Sequence, residues 1–376
     1  SAQTIDINKW THVMVTLQSG ALRFYINSIL DANTYTGIDI QNYDTNFTIG
    51  KLSNNASGYF NGAIDDVRVY NRTVSPAEVR KIYAAQFAAT SAEATVAGNI
   101  WIAKDQNRNW RSIAMSDNGQ IQTAVGWNEQ IDVSTDSGNT WAPKDSIRTW
   151  FDIAMSGNGT IQTAVAHGGQ IYVSTDSGNT WTPKDIGRGW YGIAMSGNGQ
   201  IQTAVAPGEQ IYVSTDSGNT WTPKDSIRNW HSIAMSGNGV IQTAVDNGGQ
   251  IYVSTDSGNT WAPKDSIRTW WGIAMSGNGT IQTAVAQGGQ IYVSTDSGNT
   301  WTPKDQNRDW RHIAMSDNGV IQTAVAWLGQ IYVSTDSGNT WTPKDSIRLW
   351  WGIAMSANGQ IQAATAANEY IYVSTY

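Results

Sequence analysis

The sequence predicts an all-β fold in which residues 94–376 form a seven-bladed β-propeller of four-stranded blades. The octapeptide Ser-Thr-Asp-Ser-Gly-Asn-Thr-Trp begins at Ser134 and returns every 40 residues, with a truncated last copy at Ser374. Each unit holds four short runs rich in Val, Ile, Tyr and Trp, separated by Gly, Asn and Asp, as in strands joined by hairpin turns. Four short strands per 40-residue period describe a propeller blade.

Composition supports this prediction and excludes several classes of protein. The chain has 37 Gly and 19 Trp but only 14% charged residues, which is typical of turns and packed strands. The net charge is −7 and the cations are dispersed, so we expect no nucleic-acid partner. The absence of cysteine excludes disulfides and thiol chemistry. No apolar run reaches the roughly 18 residues of a membrane span.

The chain length favours two domains, and residues 1–84 lack the repeat. Strand-like alternation occurs at residues 10–16, 22–27, 47–50 and 59–70. Ser75-Pro76-Ala77-Glu78 forms a capping box that predicts a short helix to about Tyr83. Residues 85–93, rich in Ala, Thr and Ser, are predicted to be a linker.

The phrase Gly-Ala-Ile-Asp-Asp-Val-Arg-Val-Tyr-Asn-Arg-Thr-Val-Ser-Pro-Ala-Glu-Val at residues 62–79 resembles the end of a LamG, or concanavalin A-like, domain. The resemblance implies the C-terminal half of a jelly roll. Half a jelly roll leaves a sheet edge unpaired, so we expect this segment to dock on the propeller, on a second copy or on another chain. Calcium occurs in the family, and Asp65 and Asp66 are either its ligands or structural residues. We favour the structural interpretation and predict no cofactor.

The strands of one blade can be placed from the unit that starts at Trp150. Strand one covers residues 150–156 and a Gly-Asn-Gly turn ends it. Strand two covers 161–166, strand three 170–175 and strand four 181–184. A solenoid with the same period would need polar capping repeats, and the sequence contains none.

The two ends of the repeat region predict how the ring closes. Residues 94–101 are a degenerate octapeptide with Val96 in place of the aspartate. We predict that residues 99–104 are the fourth strand of the last blade, next to the strand that ends near Ser374. No hairpin exists there, so no turn needs an aspartate. Closure removes the exposed sheet edges.

The octapeptide has a physical purpose at each position. The aspartate accepts hydrogen bonds from its own turn, and Gly138 permits a left-handed backbone. The motif resembles that of Asp-box (BNR-type) propellers, in which the box is peripheral and structural. The resemblance implies that six aspartates are turn formers: Asp136, Asp176, Asp216, Asp256, Asp296 and Asp336.

Positions that vary between the repeats are candidates for function. One follows the invariant tryptophan and holds only planar side chains: Arg111, Phe151, Tyr191, His231, Trp271, Arg311 and Trp351. The second is the loop between strands two and three, which contains Trp127, His167 and Trp327. Because strands one and two are antiparallel, both positions are expected on one rim of the ring.

We interpret these ten residues as carbohydrate-binding candidates, because planar groups stack on the C–H face of a sugar. Inter-blade packing is the alternative, and we favour packing for the invariant Arg-x-Trp. The phrases Trp-x-x-Ile-Ala-Met-Ser and Ile-Gln-Thr-Ala-Val resemble those of PLL-type bacterial lectins. That resemblance implies repeated weak sites for fucosylated or O-methylated glycans.

Catalysis is not expected. Glycoside hydrolysis needs two carboxylates, or a tyrosine with a glutamate, and glutamates within the repeats occur only in equivalent loops at Glu129, Glu209 and Glu369. The alternative to a lectin is a protein-interaction or scaffold module of a large surface protein, and a sialidase-like hydrolase ranks below both. The resemblances imply an extracellular or cell-surface location.

Overall fold

The computed structural model describes residues 13–18, 21–26, 29–36, 98 and 100–375. The chain divides into two units, Ser1–Ala92 and Glu93–Tyr376. In the first unit, β1 (Val13–Gln18), β2 (Ala21–Ile26) and β3 (Ile29–Thr36) form an antiparallel sheet in that order. In the described part of the chain, no helix has the length and apolar character that crossing a bilayer requires.

Two of these strands overlap the strands predicted at residues 10–16 and 22–27. The third, β3, was not predicted, because its Asp and Asn interrupt the apolar alternation. The predicted strands at 47–50 and 59–70, the predicted helix, Asp65, Asp66 and the linker lie outside the described residues.

The second unit is built from short antiparallel strands. In chain order they are β4 (Ile102–Arg108), β5 (Trp110–Met115), β6 (Gln122–Glu129), β7 (Asp132–Ser134), β8 (Ala142–Pro143), β9 (Arg148–Met155), β10 (Gln162–Gly169), β11 (Ile171–Ser174), β12 (Thr182–Pro183), β13 (Arg188–Gly189), β14 (Gly192–Met195), β15 (Gln202–Val205), β16 (Pro207–Ser214), β17 (Thr222–Met235), β18 (Gln242–Gly249), β19 (Ile251–Ser254), β20 (Ala262–Pro263), β21 (Arg268–Met275), β22 (Gln282–Ser294), β23 (Thr302–Met315), β24 (Gln322–Gly329), β25 (Ile331–Ser334), β26 (Thr342–Pro343), β27 (Arg348–Met355), β28 (Ile361–Ala366) and β29 (Glu369–Thr375).

These strands make a seven-bladed propeller of four-stranded blades, which confirms the predicted fold class. Blade 1 is β5–β8 and blade 2 is β9–β12. Strand β17 runs from blade 3 into blade 4, so blade 3 is β13–β16 with the first part of β17, and blade 4 is the rest of β17 with β18–β20. Strand β23 likewise joins blade 5 (β21, β22 and the first part of β23) to blade 6 (the rest of β23 with β24–β26), and blade 7 is β27–β29 with β4. In blade 2 the observed strands agree with the predicted ones to within a few residues at each end.

The ring closes where β29 pairs with β4, with Val373 opposite Ile102 and Ile371 opposite Lys104. The Gly98 amide donates to Ser374 Oγ at 2.8 Å, and the Trp101 indole donates to the Gly98 carbonyl at 3.0 Å. The intact turn of blade 1 has the same two bonds, from Gly138 and Trp141. The last turn is therefore assembled from both ends of the repeat region, and the predicted closure is confirmed.

The hydrophobic core lies between neighbouring blades. Val125 and Ile131 of blade 1 pack against Trp150, Ile153 and Tyr172 of blade 2, and all five are buried. The invariant tryptophan of every repeat is fully buried in such a cluster. Each blade thus depends on its neighbour to cover its apolar face.

The octapeptide turns are closed by their own aspartates. Asp136 Oδ1 accepts from Ser134 Oγ at 2.8 Å and from the Thr140 amide at 2.9 Å, and Oδ2 accepts from Thr140 Oγ1 at 2.7 Å. The bonds from Thr140 and Ser134 hold the pKa of Asp136 below its usual value. Gly138 has a φ of 81°, the left-handed conformation that the turn was expected to need. Asp176, Asp216, Asp256, Asp296 and Asp336 repeat these contacts.

Two sets of hydrogen bonds connect neighbouring blades. In the first, a backbone amide donates to the carbonyl of the residue 40 positions later at 2.8 Å, as from Asp117 to Gly157. The last member, the Ala357 amide, donates to the Asp117 carbonyl. In the second, a buried threonine hydroxyl donates to a buried glutamine of the next blade, as from Thr163 to Gln202 at 2.7 Å. The backbone set is a closed circle, which holds the first strands of all blades around one axis.

Candidate functional site

The variable residue after the invariant tryptophan sits in a β-bulge. In blade 2, Trp150 pairs with Ala166 and Asp152 pairs with Val165, so Phe151 between them has no partner residue. The same irregularity occurs in blades 1, 4, 5, 6 and 7. A bulge adds one residue to a strand and changes the direction of its side chain.

The bulged side chains meet at the centre of the ring. Ring centroids lie 4.4 Å apart for Phe151 and Tyr191, 5.1 Å for Tyr191 and His231, and 4.4 Å for His231 and Trp271. Trp271 of blade 5 also lies 5.9 Å from Trp351 of blade 7. Contacts between non-adjacent blades place these residues on the axis. With Arg111 and Arg311 they form what we call the axial cluster.

The two arginines complete this circle through cation–π contacts. Arg111 Cζ lies 3.5 Å from the ring centroid of Phe151 and 4.4 Å from that of Trp351. Arg311 Cζ lies 3.9 Å from Trp271 and 5.2 Å from Trp351. Cations over aromatic faces are stabilised by the ring quadrupole.

The three predicted loop residues lie against the same cluster. Trp127 and His167 are 5.3 and 4.9 Å from Phe151, and Trp327 is 5.0 Å from Trp351. The loop is itself part of a strand, since His167 pairs with Gly189 in the next blade. The structure therefore joins all ten predicted residues in one network. Repeated weak sites were expected from the lectin resemblance, whereas these side chains lie together because the first strands converge at the axis.

The network surrounds a hollow of about 400 Å³, which we call the axial hollow. Seven aromatic residues, one alanine and three polar residues line it: Trp110, Trp127, Phe151, Tyr191, Trp271, Trp327, Trp351, Ala367, Arg111, Asn109 and Asn368. Phe151 is only 4% exposed, whereas Trp127 is 41% exposed. Volume and lining both fall in the range of small-ligand sites.

The two arginines of the cluster differ in charge compensation. Arg311 Nη2 donates to Asp309 Oδ2 at 3.0 Å. The residue equivalent to Asp309 before Arg111 is Asn109, and no carboxylate of the described residues lies within 4.0 Å of the Arg111 guanidinium. Burial lowers the pKa of Arg111 to about 10, partly opposed by Tyr191 and Asp152, so it stays cationic at neutral pH.

The position directly after the bulged residue carries two ionisable side chains, Asp152 and His312. Asp152 accepts from Ser112 Oγ at 2.6 Å and from the amides of Ile153 and Ile193. Burial raises the pKa of Asp152 and lowers that of His312. Sequence reasoning did not single out these two residues, although their position also varies between repeats.

His231 of the axial cluster is held as a neutral ring. Its pKa is lowered to about 4, chiefly by burial, and its Nδ1 lies 2.8 Å from the Trp271 carbonyl. A neutral imidazole must donate at this nitrogen, because a carbonyl only accepts.

In blade 2 the side chains of the invariant Arg-x-Trp pack against a tyrosine of the same blade, and packing was the role favoured from the sequence. Arg148 Cζ lies 4.3 Å from the Tyr172 ring centroid, and that ring meets Trp150 edge-on at 5.1 Å. Arg148 also pairs with Asp145 at 3.1 Å.

Exposed apolar side chains lie on the face of the propeller that carries the axial hollow. Four repeats place an isoleucine directly before the invariant arginine and a fifth places it two residues before, and these side chains are 61–71% exposed: Ile147, Ile227, Ile267, Ile347 and Ile186. Trp127 pairs with Thr149, so this segment lies at the end of the blades that carries the hollow. A smaller hollow of about 290 Å³ lies beside Trp327, Leu328 and Ile347.

Comparison with known proteins supports both units of the fold. Residues 1–80 match the family model Laminin_G_3, described as the concanavalin A-like lectin/glucanases superfamily. No curated protein matches the chain. A solved structure of YCF48 from Cyanidioschyzon merolae has a TM-score of 0.60 and 14% identity, over 74% of this chain and 98% of that one. A structure described as YCF48 bound to D1 peptide has a TM-score of 0.59 and 15% identity, over 74% and 96%.

These matches confirm the LamG-like segment and the propeller fold. At such low identity the structural similarity concerns the fold alone. The resemblances to Asp-box propellers and PLL-type lectins stay predictions.

Proposed function

We propose that this chain is a non-catalytic binding module whose propeller binds a protein or peptide on the face that carries the axial hollow. The observation that carries the proposal is the asymmetric hollow of aromatic rings and arginine at the axis. The centres of protein interfaces are enriched in Trp, Tyr and Arg, and truncation of these residues costs most affinity. An irregular partner fits seven unequal side chains better than one small sugar repeated around the ring.

The exposed isoleucines on this face support the same proposal. Ile147, Ile227, Ile267 and Ile347 are each at least two-thirds exposed. Apolar side chains gathered around a pocket on one face of a protein mark an interaction surface. A peptide that enters the hollow would reach these side chains with its flanking residues.

The lining of the hollow supports a role without catalysis. None of its described lining residues carries a carboxylate. The Asp152 carboxylate already accepts hydrogen bonds from Ser112 and two backbone amides. Hydrolysis of a glycosidic bond would require two carboxylates, or a tyrosine with a glutamate, facing one cavity, and no glutamate lies beside Tyr191 in this lining.

Carbohydrate binding is the second candidate. The partly open ring of Trp127, beside Trp327, offers a face on which a sugar can stack, and exposed π contacts of this kind contribute about 1 kcal/mol. Fucosylated or O-methylated glycans are the classes that the lectin resemblance implies. One of the similar solved structures is that of YCF48 bound to D1 peptide, and this fold likeness favours peptides. An extracellular or surface location belongs to either proposal.

The full chain should be screened on a random-peptide array and a glycan array. We expect peptides to be retained, with at least tenfold weaker binding by Trp127→Ala and by Ile147→Asp with Ile347→Asp. Asn179→Ala, in an octapeptide turn away from this face, is the control. Glycan binding that depends on Trp127 but not on the isoleucines would support the lectin instead. Binding that none of these variants weakens would exclude this face.

A further inference from the structure

Two repeats form a matched pair in the sequence. Residues 106–119 read QNRNWRSIAMSDNG and residues 306–319 read QNRDWRHIAMSDNG, so they differ only at positions 109/309 and 112/312. Both supply an arginine to the axial cluster. Of the two, Arg111 lines the axial hollow.

The first of these differences removes the counter-charge of one arginine. Asp309 neutralises Arg311 at 3.0 Å, whereas the equivalent Asn109 cannot neutralise Arg111. Arg111 donates no hydrogen bond to a side chain or backbone of the described residues. A half-buried cation with no carboxylate in contact is unfavourable unless something else compensates it. The two ring contacts supply part of that compensation.

We propose that the axial hollow binds a carboxylate attached to an aromatic or apolar group, with Arg111 as the partner of the carboxylate. Arg111 Cζ lies 3.5 Å from the ring centroid of Phe151 and 4.4 Å from that of Trp351, one on each neighbouring blade. The N–H edge of the guanidinium makes no hydrogen bond to the described residues, so it is available to a ligand. That edge is a planar fork which matches a carboxylate in bidentate fashion.

The rest of the hollow determines what is attached to the carboxylate. Its walls are mostly aromatic, and its volume is about 400 Å³. A cavity of roughly 150 Å³ already holds a benzene ring. A ring and a carboxylate on a short linker therefore fit together. This inference deepens the proposed function: it rests on the hollow being the ligand site, and it names the ligand chemistry.

The test is titration calorimetry on the full chain with phenylacetate and its neutral isostere phenylacetamide. We expect phenylacetate to bind with a Kd on the order of millimolar, as suits so small a ligand. Phenylacetamide should bind about tenfold more weakly or worse, since a charge-assisted hydrogen-bond pair is lost. Inorganic phosphate, which is tetrahedral and has no ring, should give no heat.

Two variants test the positive charge of Arg111, one by removing it and one by neutralising it. Arg111→Met keeps an apolar chain between the rings, and Asn109→Asp supplies the internal carboxylate that Asp309 supplies in the matched repeat. Both should weaken phenylacetate binding at least about tenfold. Arg148→Met, which removes an arginine already paired with Asp145, is the control and should bind as the wild type does. If Asn109→Asp does not fold, Arg111→Met decides.

Two peptide probes identify the source of the carboxylate. Acetyl-Phe-Gly offers a chain terminus, and acetyl-Phe-Asp-amide offers a side chain; preference for either supports the proposal and names the source. Equal affinity for phenylacetate and phenylacetamide, or unchanged phenylacetate binding by Arg111→Met, would overturn it. A chain that retains array peptides on this face but not phenylacetate refutes this inference alone. Phenylacetate binding by a chain that retains neither peptides nor glycans refutes the proposed function alone.

Discussion

At the residue scale, blade 1 carries Asp132 where the other six blades carry a tyrosine. In the other blades that ring lies under the invariant arginine and against the invariant tryptophan, as Tyr172 does. In blade 1, Arg108 Nη1 donates to Asp132 Oδ2 instead, and the Asp132 side chain is fully buried. Burial raises the pKa of Asp132 from 3.8 to about 6, opposed by Arg108. An ion pair here replaces an aromatic stack.

The raised pKa predicts a pH-dependent cost to folding. Between about pH 4 and 6 the folded chain binds the Asp132 proton more tightly than the unfolded chain, so the free energy of unfolding falls as pH rises through this window. Relative to Asp132→Asn, the wild type should lose up to roughly 3 kcal/mol between pH 4 and pH 7. Urea denaturation at both pH values measures it. The same wild-type-to-variant difference at both pH values would contradict it.

The repeat itself provides the matched control. Asp132→Tyr restores the residue of the other blades, so it should remove the same pH dependence. It should also stabilise blade 1 at pH 7, because a buried ring and its edge-on contact replace a buried carboxylate.

At the element scale, the second strands of the blades are linked by threonine–glutamine hydrogen bonds with one interruption. Six described threonines donate to the glutamine of the following blade at 2.7–2.8 Å: Thr123, Thr163, Thr203, Thr243, Thr283 and Thr323. Blade 7 has Ala363 at this position, and Gln122 Oε1 of blade 1 is buried without a hydrogen-bond partner among the described residues. The series is therefore open where the two ends of the repeat region meet.

Ala363→Thr should complete this series. The added hydroxyl would satisfy Gln122 Oε1, and a hydrogen bond of this kind contributes about 1 kcal/mol to the free energy of unfolding. Thr163→Ala is the reciprocal variant and should cost roughly 1–3 kcal/mol, because it leaves Gln202 Oε1 buried and unpaired. Chemical denaturation of both variants measures the effect. A neutral Ala363→Thr beside a destabilising Thr163→Ala would mean that the closing blades are spaced differently.

At the scale of the whole molecule, the ring depends on one non-covalent junction. Strand β4 covers β29 of blade 7, and Gly98 and Trp101 complete the last turn with Ser374. Without β4, the edge of blade 7 and the adjoining apolar side chains would be open to water. A propeller blade is stable only when its neighbours cover it.

Deletion of residues 98–104 should therefore weaken the entire propeller and not blade 7 alone. We expect a loss of several kcal/mol, or roughly 10 °C in Tm, with a broader unfolding transition. Ser374→Ala, which removes only the bond from Gly98, should cost about 1–2 kcal/mol and keep the transition cooperative. Calorimetry of both variants checks this. A deletion variant with the parental Tm would show that the junction is dispensable.

The blades, the octapeptide turns and the closure could be predicted because each depends on residues close in sequence or on a strict repeat. The turn needs Asp136 and Gly138 within one octapeptide. Closure follows from the truncated copy at Ser374 together with the degenerate copy that contains Val96. All ten candidate site residues could be identified for the same reason, since they are the variable positions of a copied unit.

What the sequence by itself determined is thus the blade, its copies and the positions where they differ. Only the tertiary structure decided that those positions lie together around the axis. Residues 40 apart in sequence become neighbours around an axis, and in six of the seven blades a bulge holds the variable residue, so side chains from separate blades meet in one cluster. The significance of Asn109 likewise emerges only there, because a missing carboxylate matters once Arg111 packs against Phe151 and Trp351. Charge compensation depends on distance in space, which a repeat read along the chain does not contain.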